Sequence, residues 1–241
     1  MPLFSFEHIN TGDNAPRLNP EDEKKHLWLS FFIPGVFVAL MWITKLFETV
    51  TGISLVRFGL YPKHWSGLDG ILFSPLIHGD WNHLISNTIP FFILSFLMLF
   101  NYRKVAFKSF LFIYFVSGLL VWLTGRENYH IGASGLVYGM AFFIFFSGVF
   151  RKNIQAIALS LFVVFLYGSI VWGLFPIDRT ISFEGHLMGA LCGSFIAFHY
   201  RKVDLPPKIE LEDEEDETTE SESEVTPIKI VYELKENNPP E

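Results

Sequence analysis

Six stretches of this chain, about residues 27–48, 82–101, 105–124, 134–150, 154–175 and 183–200, are almost wholly apolar. A bilayer hydrocarbon core of about 30 Å is crossed by roughly 17–25 helical residues. Inside it every backbone N–H and C=O must be paired, which a helix does within itself and an open strand does not. The chain is therefore expected to be an all-α polytopic membrane protein, a six-transmembrane-helix bundle over residues 27–202. Composition agrees, since half of the 241 residues are hydrophobic and the charges gather largely outside the apolar stretches.

Basic residues orient the bundle. Lys24 and Lys25 precede the first span, Arg103, Lys104 and Lys108 follow the second, Arg151 and Lys152 follow the fourth, and Arg201 and Lys202 follow the sixth. The other side carries scattered Lys45, Arg57, Lys63, Arg126 and Arg179. Cytoplasmic loops hold the excess of Lys and Arg, so both termini are expected in the cytoplasm, with spans two, four and six running from outside to inside. Residues 1–26 read as a polar cytoplasmic tail without the apolar core of a cleavable signal peptide. No organelle transit signal is visible, which makes a bacterial cytoplasmic membrane the expected address. The segment 203–241 holds 14 of the 25 acids and accounts for the formal charge of −7. Such a block is expected to be a disordered cytoplasmic tail, either simply solvated or held by a cytoplasmic partner. Cys192 is the single cysteine, which excludes an internal disulfide and reads as a buried, inert thiol.

Counting back from the basic anchors at about 1.5 Å per residue puts Ser134 about 25 Å, His186 about 22 Å and Asn87 about 24 Å above the cytoplasmic side. His83 lies one turn above Asn87. Polar side chains of this kind avoid lipid and face protein or a water-filled cavity, so one buried polar layer is expected in the outer third of the bundle. Spans four and six also carry glycines at spacing four, Gly135 and Gly139, then Gly185, Gly189 and Gly193. Such faces let helices approach closely in lipid, and their meeting would bring Ser134 to His186.

A serine hydroxyl becomes a nucleophile when a neighbouring base takes its proton, and imidazole suits that task. Ser134 would attack and His186 would accept the proton, while Tyr138, one turn beyond Ser134, would stack on the imidazole. The oxyanion formed on attack at an amide needs preorganised donors. The N–H of Ser134 and the side chains of His83 and Asn87 are placed for this. No Asp or Glu lies near the middle of a span, so a Ser-His dyad is expected rather than a triad, and a proton-coupled transporter is disfavoured. Imidazole is a common zinc ligand, which would make His78, His83 and His186 candidates. No HExxH motif accompanies them, and no metal or organic cofactor is assigned.

In these residues the chain resembles the rhomboid intramembrane serine proteases. The matching pattern is His83 and Asn87 four apart in the second span, Gly132-Ala133-Ser134-Gly135 with Tyr138 at the fourth, and His186-Leu187-Met188-Gly189 in the sixth. The resemblance covers about residues 27–202. It implies nucleophile Ser134, base His186, oxyanion support from His83 and Asn87, and packing roles for Tyr138, Gly132, Gly135 and Gly189. It also implies a partly submerged loop over 49–80, a gate at span five with its following loop 176–182, and single-span membrane proteins as substrates, cut near the outer face. The lipid bilayer is the other expected partner, and nucleic acid is not one. One departure is Asp69-Gly70 where many members carry a Trp-Arg pair. A non-proteolytic relative that binds transmembrane helices, and a small channel or transporter, are the alternative readings.

Overall fold

The computed structural model describes residues 19–152, 154–177 and 182–203. Residues 1–18 of the polar tail, the acidic segment beyond 203 and residues 178–181 of the loop before the last span lie outside the described residues. Among those described, every regular element is helical.

The first helix starts earlier than its apolar run. Asn19 accepts a hydrogen bond from the N–H of Glu21 at 3.2 Å, Pro20 occupies the first turn, and Glu21, Asp22 and Glu23 sit at the positive end of the helix dipole. These signals begin α1 (Pro20–Thr51) at residue 20 rather than 27. Its 32 residues reach about 48 Å at 1.5 Å each, so the polar first turns extend beyond a hydrocarbon core. Gly52, with φ 70°, closes α1 in the left-handed conformation and donates its N–H to the Glu48 carbonyl.

The chain then folds compactly through 3-10 turns at Val56–Phe58 and Trp65–Gly67, a short α2 (Gly70–Phe73) and a 3-10 turn at Ser74–Leu76. The long helices α3 (Trp81–Asn101), α4 (Ala106–Thr124), α5 (Ser134–Arg151), α6 (Ile154–Tyr167) and α7 (Phe183–His199) follow. The loop after α1 is tied to the end of α4 and the segment beyond it. Lys63 N–H donates to the Trp122 carbonyl, Trp122 Nε1 donates to the His64 carbonyl, and Leu60 and His130 form an antiparallel bridge.

Among the described residues four helices, α1, α3, α4 and α5, are each long and apolar enough to cross a membrane. The stretch expected to form span five is α-helical only to Tyr167 and continues as a 3-10 helix over Gly168–Leu174. Gly168 and Gly173 each weaken an α-helix by about 1 kcal/mol relative to Ala. Large apolar side chains such as Phe32 and Ile43 on α1, Phe165 on α6 and Phe195 on α7 lie exposed over the outside. So continuous an apolar surface belongs in lipid, and the protein is an integral membrane protein.

At the centre stands α5, far more deeply buried than α1. Its glycines meet those of α7 directly. A Cβ on Gly189 would stand 3.0 Å from the Gly135 carbonyl carbon and 3.3 Å from the Gly139 nitrogen, and one on Gly193 would stand 3.0 Å from the Phe143 nitrogen. The backbones of α5 and α7 therefore touch, as the glycine spacing predicts, and this contact sets the distance between the two helices that carry Ser134 and His186.

Candidate active site

Ser134 is the first residue of α5, and His186 lies in the first turn of α7. Ser134 Oγ is 2.8 Å from His186 Nε2. On the other side of the ring, His186 Nδ1 is 2.9 Å from the carbonyl oxygen of Gly173. A carbonyl only accepts, so Nδ1 carries the proton and Nε2 is left to accept from the serine hydroxyl. The Tyr138 ring lies parallel to the imidazole, 4.1 Å between centroids and 5° between planes. Ser134, His186, Tyr138, His83 and Asn87 line one cavity of about 630 Å³.

The chain leading into Ser134 is shaped for close approach. Gly132 has φ +105°, which side chains rarely adopt, and a Cβ there would stand 2.6 Å from His83 Cε1. Gly132 N–H donates to the Ser74 carbonyl at 2.9 Å, and Ala133 N–H points at His78 Nε2 at 3.4 Å. Because α5 starts at Ser134, the N–H of Ser134 has no acceptor within the helix. A hydroxyl held against an acceptor imidazole, with a backbone N–H beside it, is an arrangement that can support acyl transfer.

His83 and Asn87 face this cavity from α3. Asp80 caps α3 by accepting from the His83 N–H at 2.8 Å, a bond that holds its carboxyl below the usual carboxylate range. The Asn87 amide nitrogen donates to the His83 carbonyl at 2.8 Å. That nitrogen carries two hydrogens, so this bond uses one of them. The His83 ring meets His78 edge to face at 5.0 Å, and among the described residues no group of three His, Cys, Asp or Glu is arranged to hold a metal. Glu184 turns away from His186 and pairs with Arg126 at 3.2 Å.

Several positioning contacts escape the sequence reading. Lys45, counted there among scattered outer charges, lies within α1 and is largely buried. Its ammonium donates to the carbonyls of His78 (3.0 Å) and Gly79 (2.9 Å) and pairs with Glu48 at 3.4 Å. Glu48 in turn accepts from Leu55 N–H at 2.7 Å. A charged pair at i, i+3 inside an apolar run was the available signal. His78 is 1% exposed, and burial together with neighbouring His83 pushes its pKa down to about 4, so the ring is neutral near pH 7. His130 Nε2 faces the Arg126 carbonyl at 3.1 Å and Nδ1 faces Ser182 Oγ at 2.5 Å. Ser182 in turn accepts from Gly185 N–H at 3.3 Å and caps α7 one turn before His186.

Comparison with known proteins fits this geometry. Residues 62–203 match the family model described as the Rhomboid domain. An uncharacterised protein of Mycobacterium tuberculosis (strain H37Rv), Rv1337, is 36% identical over 171 residues, covering 67% of this chain and 71% of the relative. An uncharacterised Mycobacterium leprae protein, ML1171, is 31% identical over 192 residues, covering 74% and 76%. A Bacillus subtilis (strain 168) protein, YdcA, whose name marks it as a candidate rhomboid protease, is 30% identical over 175 residues, covering 70% and 80%. With more than half of its length matched by the family model, this chain belongs to the rhomboid family.

Proposed function

We propose that the protein is an intramembrane serine endopeptidase that cuts single-span membrane proteins near their outer ends with a Ser134-His186 dyad. The observation that carries this reading is the 2.8 Å contact between Ser134 Oγ and His186 Nε2 inside a shared polar cavity. As His186 Nε2 takes the hydroxyl proton, Ser134 Oγ adds to the scissile carbonyl carbon. The oxyanion is received by the N–H of Ser134 and by donors from His83 and Asn87. His186 returns the proton to the departing amine, and the C–N bond breaks to leave an ester on Ser134. Water, giving its proton to the same nitrogen, then hydrolyses that ester.

On this reading α6 with its 3-10 extension and α7 complete six spans, and residues 27–202 form the membrane domain. Both termini lie in a bacterial cytoplasm, and residues 203–241 form an acidic tail open to a cytoplasmic partner. The loop over 49–80 dips into the outer leaflet, where exposed Trp65 and Phe73 suit an interfacial level. The substrate helix must unwind at the cut, since a helical backbone hides its amides.

The test is cleavage of a single-span reporter by the full chain in liposomes, under a metal chelator, with the new N-terminus sequenced. Wild type is expected to cut near the outer end of the reporter helix, and Ser134→Ala and His186→Ala to lose cleavage while keeping their fold. A folded wild type that binds the reporter without cutting it would overturn the reading in favour of a helix-binding relative.

A further inference from the structure

A base works only in the right tautomer and orientation. In serine hydrolases a carboxylate usually receives the second imidazole N–H, and disturbing that arrangement lowers turnover by about four orders of magnitude. Here the group at that position is the backbone carbonyl of Gly173, 2.9 Å from His186 Nδ1. Glycine at 173 lets the backbone come so close without displacing Tyr138 or the imidazole. A Cβ there would fall on the Tyr138 hydroxyl oxygen and stand 3.0 Å from Tyr138 Cζ and 3.1 Å from His186 Nδ1.

The element that carries this carbonyl is held unevenly. The inner part of α6 is packed on α5, where Ser160 Oγ lies within reach of the Ile144 and Phe145 carbonyls as well as that of Ala156 on its own helix, and the missing side chain of Gly148 lets the two backbones meet. The buried residues of α6 are Ala156, Ser160 and Val163. Beyond Val163 no described side chain up to Ile177 is buried, and Trp172 and Phe165 are largely exposed. This outer segment is also a wall of the cavity, which Tyr167 and Ser169 line together with Ser86 and Pro90 of α3.

We propose that the Gly173 carbonyl is the positioning group of the dyad, standing where a triad places its carboxylate, and that His186 is a competent base only while the segment 168–174 is seated against it. The proposal rests on the protease reading above. A bulky substrate that displaces this wall to enter also removes the acceptor of the Nδ1 proton. The imidazole is then free to turn or to carry its proton on Nε2, where it no longer accepts from Ser134. Entry and bond cleavage become separate events, with cleavage waiting on the return of the segment. A reagent small enough to enter without moving the wall escapes the first event but still needs the second.

The experiment uses full-length protein in lipid. Nitrogen-15 NMR of imidazole-labelled protein near neutral pH, with the His186 signals assigned through His186→Ala, reads the tautomer. Wild type is expected to show a protonated Nδ1 and an acceptor Nε2, and Gly173→Ala to lose that preference. Ser134 modification by a small fluorophosphonate is expected to slow by at least about 100-fold in Gly173→Ala, the lower bound of what a positioned base supplies. Unchanged or faster modification, with only reporter cleavage altered, would show that the segment is a wall and nothing more. Should the variant not fold, wild type decides alone, because a protonated Nε2 in His186 would overturn the proposal. The tautomer is readable whether or not wild type cuts the reporter, so failure of the protease reading and failure of this one are told apart.

Discussion

The pair α5–α7 and the helix α6 solve the same problem, placing a group on His186, in opposite ways. Between α5 and α7 the glycines clear side chains from the seam, and backbone meets backbone along Gly135, Gly139, Gly189 and Gly193. Such an interface tolerates little change, because a side chain added at Gly189 or Gly193 collides with main chain of α5 rather than with a movable neighbour. The outer half of α6 is exposed to the surroundings and reaches the site through a 3-10 segment and the Gly173 carbonyl. The first arrangement fixes the distance between Ser134 and His186, and the second fixes the rotation of the imidazole. Chemistry that needs both a rigid pair and a way in for a helix-sized substrate gains from dividing the tasks in this manner.

For catalysis the division is broken most directly at the glycine contact. Gly189→Val drives a branched side chain into the Gly135 and Gly139 backbone, where overpacking costs about 1–3 kcal/mol or more. Reporter cleavage and Ser134 modification are expected to vanish together, with a clear fall in the thermal unfolding midpoint. Lys45→Met tests the rigid side from α1. It leaves two carbonyls and Glu48 without their cation, and breaking a buried pair in this way costs about 3–5 kcal/mol. Adding Glu48→Gln should recover part of the loss in a double-mutant cycle.

Acid tests the same support. Because the folded pKa of His78 lies near 4, below its ordinary 6.5, folding favours the neutral ring. Its contribution is fully present above about pH 6.5 and is lost as pH falls towards 4, by about 3 kcal/mol at most. Unfolding midpoints at pH 7, 5.5 and 4 should decline, with a shallower decline in His78→Gln. Ser182→Ala removes the cap of α7 at a cost of about 1 kcal/mol, and a several-fold loss of cleavage is expected as the turn bearing His186 loosens. Phe165→Ala, on the exposed outer part of α6, should change stability by less than about 0.5 kcal/mol and leave cleavage intact. A large effect there would mean that α6 is held more tightly than its exposure implies.

The helices were legible because their apolar runs are long and bounded by basic residues, and the α5–α7 contact because glycine at spacing four has one main use in lipid. Ser134 and His186 could be paired from depth, shared helix direction and the glycine faces taken together, since depth alone also puts Asn87 at that level. Helix α1 begins ahead of its apolar run because Asn19, Pro20 and the three acids spell a helix N-terminus, a signal independent of apolarity. Arg151, used as a depth marker at the membrane surface, is in fact 7% exposed and donates to the Tyr200 carbonyl at 3.2 Å beyond the end of α7. The contacts of Gly173, His78 and His130 were not legible. The Gly173 carbonyl and the Ala133 N–H that meet His186 and His78 are backbone groups of distant segments, which leave no mark on residue type, and His130 meets Ser182 only because the fold brings the two loops together.

The most direct measurement is the site of covalent modification by a small fluorophosphonate in the full-length protein, located by peptide mass spectrometry. A single adduct on Ser134 in wild type, absent from His186→Ala under the same conditions although that variant is folded, is the result expected of a serine activated by its histidine. An adduct that persists in folded His186→Ala, or that falls on another serine, would contradict the dyad on which the account rests.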